Sequence, residues 1–230
     1  INDDSKTIKI KGAWIVNEKP SGDLAFSEEA GEAKNYMSWV AKGEKTCYGL
    51  TLNEPLTLSH EPGTVIGGSD NSSLMLIPQQ LDAWDLKNDS ENTQKGAYIL
   101  LLCRIEIRHD GAEHPGSAEG GPVISQGDYH YHQLFPDSTV FDSDAYGYTC
   151  VPINTEWQPG KKYIYNLEFC GTSSGAGLYP PTVTAPFPLD NVITDRPDGK
   201  EIGDKVLDDP ISFTVEVGSW VDASSNLPMN

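Results

Sequence analysis

Leu101-Leu102-Cys103-Arg104-Ile105-Glu106-Ile107-Arg108 is the stretch that decides the fold class. Leu101, Cys103, Ile105 and Ile107 alternate with Arg104, Glu106 and Arg108. Successive side chains of a strand point to opposite faces, so a period of two predicts a strand with one face on a core and a mostly polar face outward. The same period recurs on both sides of this stretch. Ile8 and Ile10 alternate with Lys9 and Lys11, and Tyr163, Tyr165, Leu167 and Phe169 alternate with Ile164, Asn166 and Glu168. Ile211, Phe213, Val215 and Val217 alternate with Ser212, Thr214 and Glu216. Segments 47–59 and 74–77 add further candidate strands. Between them lie turn residues, among them Glu61-Pro62-Gly63, Gly67-Gly68, Gly120-Gly121-Pro122, Gln158-Pro159-Gly160 and Pro197-Asp198-Gly199. Helical periodicity is scarce. Residues 28–43 and 135–146 are the two stretches that can hold a short helix or a turn. Segments 109–127 and 171–210 read as long connections rich in Gly, Pro and polar residues.

The chain has 230 residues, with 22 Gly and 16 Pro, which fits a loop-rich β protein large enough to bury a substantial core. No internal repeat and no clear linker divides it, so residues 1–230 are read as one domain. Its net charge of −18 would be repelled by phosphate backbones and anionic headgroups, which excludes nucleic acid as a partner. The longest apolar run, Tyr98 to Cys103, suits a buried strand and is far too short for a membrane span. The chain opens Ile1-Asn2-Asp3-Asp4, without Met or a signal peptide, and reads as a processed or truncated product of something longer.

Motifs that carry chemistry do not accumulate. Cys47, Cys103, Cys150 and Cys170 have no metal or redox spacing. Cys103 lies on the apolar side of its alternation and reads as a small buried hydrophobe. Whether the four form disulfides stays open, because pairing needs geometry. Gly171-Thr172-Ser173-Ser174-Gly175 matches the pattern of a hydrolase nucleophile elbow. The elbow also needs a following helix, and Gly-Ala-Gly-Leu-Tyr-Pro-Pro does not start one. His130 and His132 share a face if extended, and a third metal ligand would have to come from His109, His114 or Asp128. The simpler reading is two solvated histidines on an exposed hairpin. Asp142-Ser143-Asp144 lacks a following acid at calcium-loop distance, and the acids at Asp190, Asp195, Asp198, Asp204, Asp208 and Asp209 cluster in the long connection; whether they bind calcium stays open, with solvated carboxylates as the simpler reading. No catalytic set and no cofactor is expected, so the chain is read as a non-enzyme. Aromatic residues in a sandwich usually serve the core or an interface. Trp84, Tyr129, Tyr131 and Tyr146 are kept as candidate glycan contacts, which makes a surface glycan-binding module the alternative function.

Three blocks resemble the C-terminal domain of fimbrillins, the pilus-subunit family of Bacteroidales bacteria. Leu74-Met75-Leu76-Ile77-Pro78-Gln79-Gln80-Leu81 is similar to that family's Leu-x-Leu-Ile-Pro-Gln segment. Trp157-Gln158-Pro159-Gly160-Lys161-Lys162-Tyr163-Ile164-Tyr165-Asn166-Leu167 resembles its Trp-x-Pro-Gly-Lys-x-Tyr-x-Tyr-x-Leu strand. Gly177-Leu178-Tyr179-Pro180-Pro181 and Asp209-Pro210-Ile211 through Trp220 resemble its Gly/Pro loop and closing strand. The blocks fall in order over about residues 70–221, and residues 1–60 fit more loosely. The resemblance implies an all-β, Greek-key-like sandwich of transthyretin-like type, with the family's N-terminal domain missing here. It implies an exported, lipoprotein-derived structural or adhesive subunit of a fimbria on the outer membrane surface. Its partners would be other pilus subunits, joined by strand exchange, and host or bacterial surface receptors. No catalytic residue, cofactor or membrane span carries over. Ile211, Phe213, Val215, Val217 and Trp220 are the candidate residues for such exchange, with an ordinary core strand as the plain alternative.

Overall fold

The structure, a computed structural model, describes residues 6–26, 37–58, 66, 73–85, 96–110, 122–171, 174–181, 191–207 and 209–219. The chain starts with β1 (Lys6–Glu18), β2 (Ser21–Phe26), β3 (Met37–Lys42) and β4 (Thr46–Thr57). β5 (Gln80–Leu81), β6 (Tyr98–Asp110), β7 (Val123–Gln126), β8 (Tyr129–Phe135) and β9 (Tyr146–Pro152) form its middle. β10 (Thr155–Glu156), β11 (Lys161–Glu168), β12 (Val192–Ile193) and β13 (Ser212–Ser219) complete it. Among the described residues there is no helix. The part of 28–43 that is described is strand β3 with Gly43 after it, and 136–145 is turn and irregular chain between β8 and β9. The fold is all-β and sandwich-like, as the alternation requires. At 74–77 no strand forms, and pairing starts only at Gln80, beyond Pro78, which has no N–H to donate.

A seven-stranded sheet carries the order β12-β9-β6-β1-β4, with β8 also on β6 and β7 on β8. β6 is its axis. It pairs antiparallel with β1 from Ile107 back to Tyr98. On its other side it pairs with β9 over Tyr98–Cys103 and then with β8 over Ile105–Asp110. The sheet forks where β6 changes partner. Smaller two-stranded sheets are β2–β3, β5–β10 and β11–β13.

One apolar layer holds Ile8, Ile10, Ile99, Leu101, Cys103 and Ile105 on the sheet, with Tyr163, Tyr165, Leu167 and Phe213 of the β11–β13 pair packed against it. This is the sandwich core, and it bears out Cys103 as a buried hydrophobe. The opposite face of the sheet is also covered. Trp14, Trp84, Tyr98, Leu100, Leu102, Tyr146, Tyr148 and Cys150 form a second core, roofed by Leu178, Val192 and Ile202. Those last residues come from the long 171–210 connection. It is tied down by backbone bonds such as Leu178 N to the Cys150 carbonyl at 3.1 Å and Val206 N to the Gly177 carbonyl at 2.9 Å. Gly177 fits this crossing because its φ is +92° and a Cβ there would lie 2.2 Å from Thr149 Oγ1.

The second layer overturns the expectation that β6 keeps a solvated polar face. Tyr98 through Glu106 are all buried. Arg104 is fully buried and tolerates this because its Nε donates to Glu106, its Nη1 donates to the Ala145 carbonyl at 3.1 Å, and its guanidinium lies 4.9 Å from the Phe141 ring. Lys9 reaches Glu106 from β1 at 3.4 Å. A desolvated charge is stable only when paired in this way. Glu106→Ala is therefore expected to lower the unfolding free energy by about 3–5 kcal/mol, since it strands the buried guanidinium. Replacing both Arg104→Met and Glu106→Leu should recover most of the loss. Urea titration of the three proteins checks this, and a double variant no more stable than the single one would refute the pairing argument.

Candidate functional site

Two places combine exposure with chemistry, the β11–β13 sheet and the β7–β8 hairpin. In the first, Lys161-to-Glu168 and Ser219-to-Ser212 pair residue for residue with no shift of register. The turn before β11 is built by its own sequence. Gly160 takes φ +67°, a conformation that suits Gly. The Tyr163 hydroxyl accepts from Gln158 N at 2.8 Å and donates to the Glu156 carbonyl at 2.8 Å. Trp157 Nε1 donates to the Tyr165 hydroxyl at 2.9 Å. On the outer face Asn166 Nδ2 donates to Glu216 at 2.8 Å. Among the exchange candidates, Ile211 is buried, Phe213 and Val215 are half-buried, and Val217 is 58% exposed. Trp220 lies outside the described residues. The closing strand is thus a full partner of the sandwich, with its apolar row running out past the edge of the core.

At the β7–β8 hairpin, Gln126 and Tyr129 pair across a two-residue turn, Gly127-Asp128. Gly127 has φ +63°, at the turn position where such hairpins favour Gly. Two of the four glycan candidates are corrected. Trp84 is 3% exposed and packs its ring 5.9 Å from that of Tyr98 in the second core. Tyr146 is likewise buried, beneath Lys11, whose Nζ lies 5.0 Å from the ring. Neither ring has a face for a sugar. Tyr129 is exposed and Tyr131 half-buried, on neighbouring rows of the hairpin.

The two histidines are not the solvated pair expected. His130 and His132 are both buried, because they lie on the face of β8 that turns toward the sandwich core. Ser125 Oγ sits 2.9 Å from His130 Nδ1, and the rings of His109 and His132 meet edge to face at 5.2 Å. Register places His109 opposite His130. Among the described residues no group of three or more His, Cys, Asp or Glu is arranged to hold a metal ion. His114 lies outside them.

The remaining motifs are used structurally. Asp142 Oδ1 accepts from Asp144 N at 2.9 Å, which closes a turn. Asp204 accepts from Glu201 N at 2.8 Å and Asp209 pairs with Lys205 at 2.7 Å, while Asp190 and Asp208 lie outside the described residues. In the Gly-x-Ser-x-Gly match, Ser173 is outside the described residues. The neighbouring Ser174 donates to the Glu168 carbonyl and accepts from Ser212 N at 2.9 Å. Sequence reading missed Arg108 and Asp110 as neighbours of Tyr129. Their place on one face follows from strand pairing, which alternation does not reveal.

No disulfide joins any two of the four cysteines. Burial pushes Cys103 and Cys150 far above the ordinary thiol range, and the neighbouring Cys170 adds to the effect at Cys103. Burial, with the Glu18 carboxylate second, pushes Cys47 up to about 11. The thiolate is the reactive form, so at pH 8 Cys47 is held mostly as the unreactive thiol. Iodoacetamide labelling read by mass spectrometry should leave Cys103, Cys150 and Cys170 unmodified in the native protein. Cys47 should be labelled far more slowly than a free thiol and gain rate as pH rises toward 11, and all four should label in urea. Rapid native labelling at pH 8 would contradict this burial. No family model, no curated protein and no solved structure matches the chain.

Proposed function

We propose that this chain is a non-catalytic structural or adhesive subunit of a bacterial surface pilus, exported to the outer surface and assembled by β-strand addition. The resemblance to fimbrillins at 74–81, 157–167 and 209–220 motivates the reading. The observation that carries it is the β11–β13 sheet. Each of its strands has a single strand partner among the described residues, so each offers an outer edge. An edge strand presents backbone donors and acceptors that an added strand can satisfy, and alternate side-chain positions give the added strand its specificity. Along β13, Phe213 and Val215 are half-buried and Val217 is exposed, so an added strand would extend an apolar row that the subunit leaves incomplete. In this reading β13 stays within its own sandwich and serves as an acceptor, with a segment of a neighbouring subunit as donor. The net charge of −18 keeps subunits dispersed until a specific edge contact forms.

Size-exclusion chromatography with light scattering, before and after limited trypsin digestion, tests the proposal. Strand addition predicts oligomers that grow after cleavage and are suppressed by Val217→Glu, which places a charge in the apolar row without creating a trypsin site. A monomer under every condition, or oligomers indifferent to Val217→Glu, would sink it.

A further inference from the structure

We propose that the end of the β6–β8–β7 ribbon that carries Asp110, Tyr129 and Gln126 is a saccharide-binding site. Tyr129 is its stacking surface, and Asp110, Arg108 and Gln126 are its hydrogen-bonding rim. Strand register brings these residues together. Tyr129 is the direct cross-strand partner of Asp110 on β6 and of Gln126 on β7, so the three side chains form one row on one face of the ribbon. The adjoining row on that face is Arg108, Tyr131 and Ile124. The guanidinium of Arg108 lies 4.7 Å from the Tyr129 ring centroid, which fixes the ring by a cation–π contact. Tyr129 remains 39% exposed. Beside it lies an open surface depression of about 390 Å³ lined by Asp110, Gly127, Asp128 and Tyr129. A shallow, open site of this kind suits the exposed face of a sugar rather than an enclosed cofactor.

The chemistry of the lining selects the ligand class. A pyranose has an apolar C–H face that packs on an aromatic ring, and a rim of hydroxyls that planar carboxylate, amide and guanidinium groups pair with. Tyr129, Asp110, Gln126 and Arg108 supply one of each. Two carboxylates against one guanidinium, in a chain of net charge −18, disfavour an anionic ligand, so the sugar is neutral. Calcium takes six to eight oxygens, roughly, and the depression offers two carboxylates. The site lies on the opposite face of the ribbon from the histidines and is separate from the β11–β13 edges, so it stands or falls independently of pilus assembly.

The test is titration calorimetry of the folded chain against the methyl glycosides of glucose, galactose, mannose and N-acetylglucosamine and their linear trisaccharides, with CaCl2 as a separate arm. At least one saccharide is expected to bind. Tyr129→Ala should weaken that binding about tenfold or more, the loss expected of an aromatic contact with its buried area. Tyr129→Phe should largely keep it, and Asp110→Asn should weaken it several-fold. Ile164→Ala, on distant β11, should leave it unchanged. Melting curves confirm that the exposed-tip variants stay folded. A panel with no binder, binding that survives Tyr129→Ala, or a response to CaCl2 alone would overturn the proposal.

Discussion

Everything in this molecule is arranged around the burial of β6 on both of its faces. An antiparallel strand usually keeps one face wet, and here water is excluded from both over Tyr98 through Glu106. That constraint explains why Arg104 and Glu106 sit two residues apart on one strand. Side chains two apart share a face, so the two charges neutralise each other where neither can be solvated. It also explains the aromatic character of the second core. Trp14 and Tyr148 meet edge to face at 6.2 Å and fill the space between the sheet and its roof with few side chains. The cost is visible in buried Trp14 Nε1, Tyr148 Oη and Arg104 Nη2, which find no hydrogen-bond partner among the described residues.

Much of the fold was legible in the sequence where apolar spacing had a single consequence. The alternation at 8–10, 101–107, 163–167 and 211–217 marks β1, β6, β11 and β13. The Trp157-to-Tyr165 block encodes its own turn, since the residues that make it distinctive are those that bond across it. What stayed hidden depends on partners distant in the chain. Arg104 and Glu106 look like surface residues until the connection between β8 and β9 brings the Ala145 carbonyl and the Phe141 ring onto the Arg104 guanidinium. The 171–210 stretch looks like loop because its glycines and prolines conceal a few anchors, Ala176, Tyr179 and Val206, that are buried.

The candidate sites divide along the same line. Trp84 and Tyr146 have the side chains of a sugar platform, and burial removes both. Tyr129 keeps part of its ring in solvent because it lies past the fork, where β8 has replaced β9 beside β6 and the second core has ended. Residue type alone does not separate these three aromatic residues, and position relative to the fork does. His130 and His132 follow the same logic in reverse: they occupy the face of the ribbon that the fold turns inward.

The unshifted ladder between β11 and β13 also sets how the domain would carry a mechanical load. Eight residues of each strand are in register from Lys161–Ser219 to Glu168–Ser212. Tension applied along the axis of β13 acts on all of those rungs together, in shear, so the ladder resists until many fail at once. Tension applied across the strand would peel the rungs one at a time and open the sheet at far lower force. The direction from which a neighbour pulls, more than the strength of any one bond, would decide whether this sandwich yields.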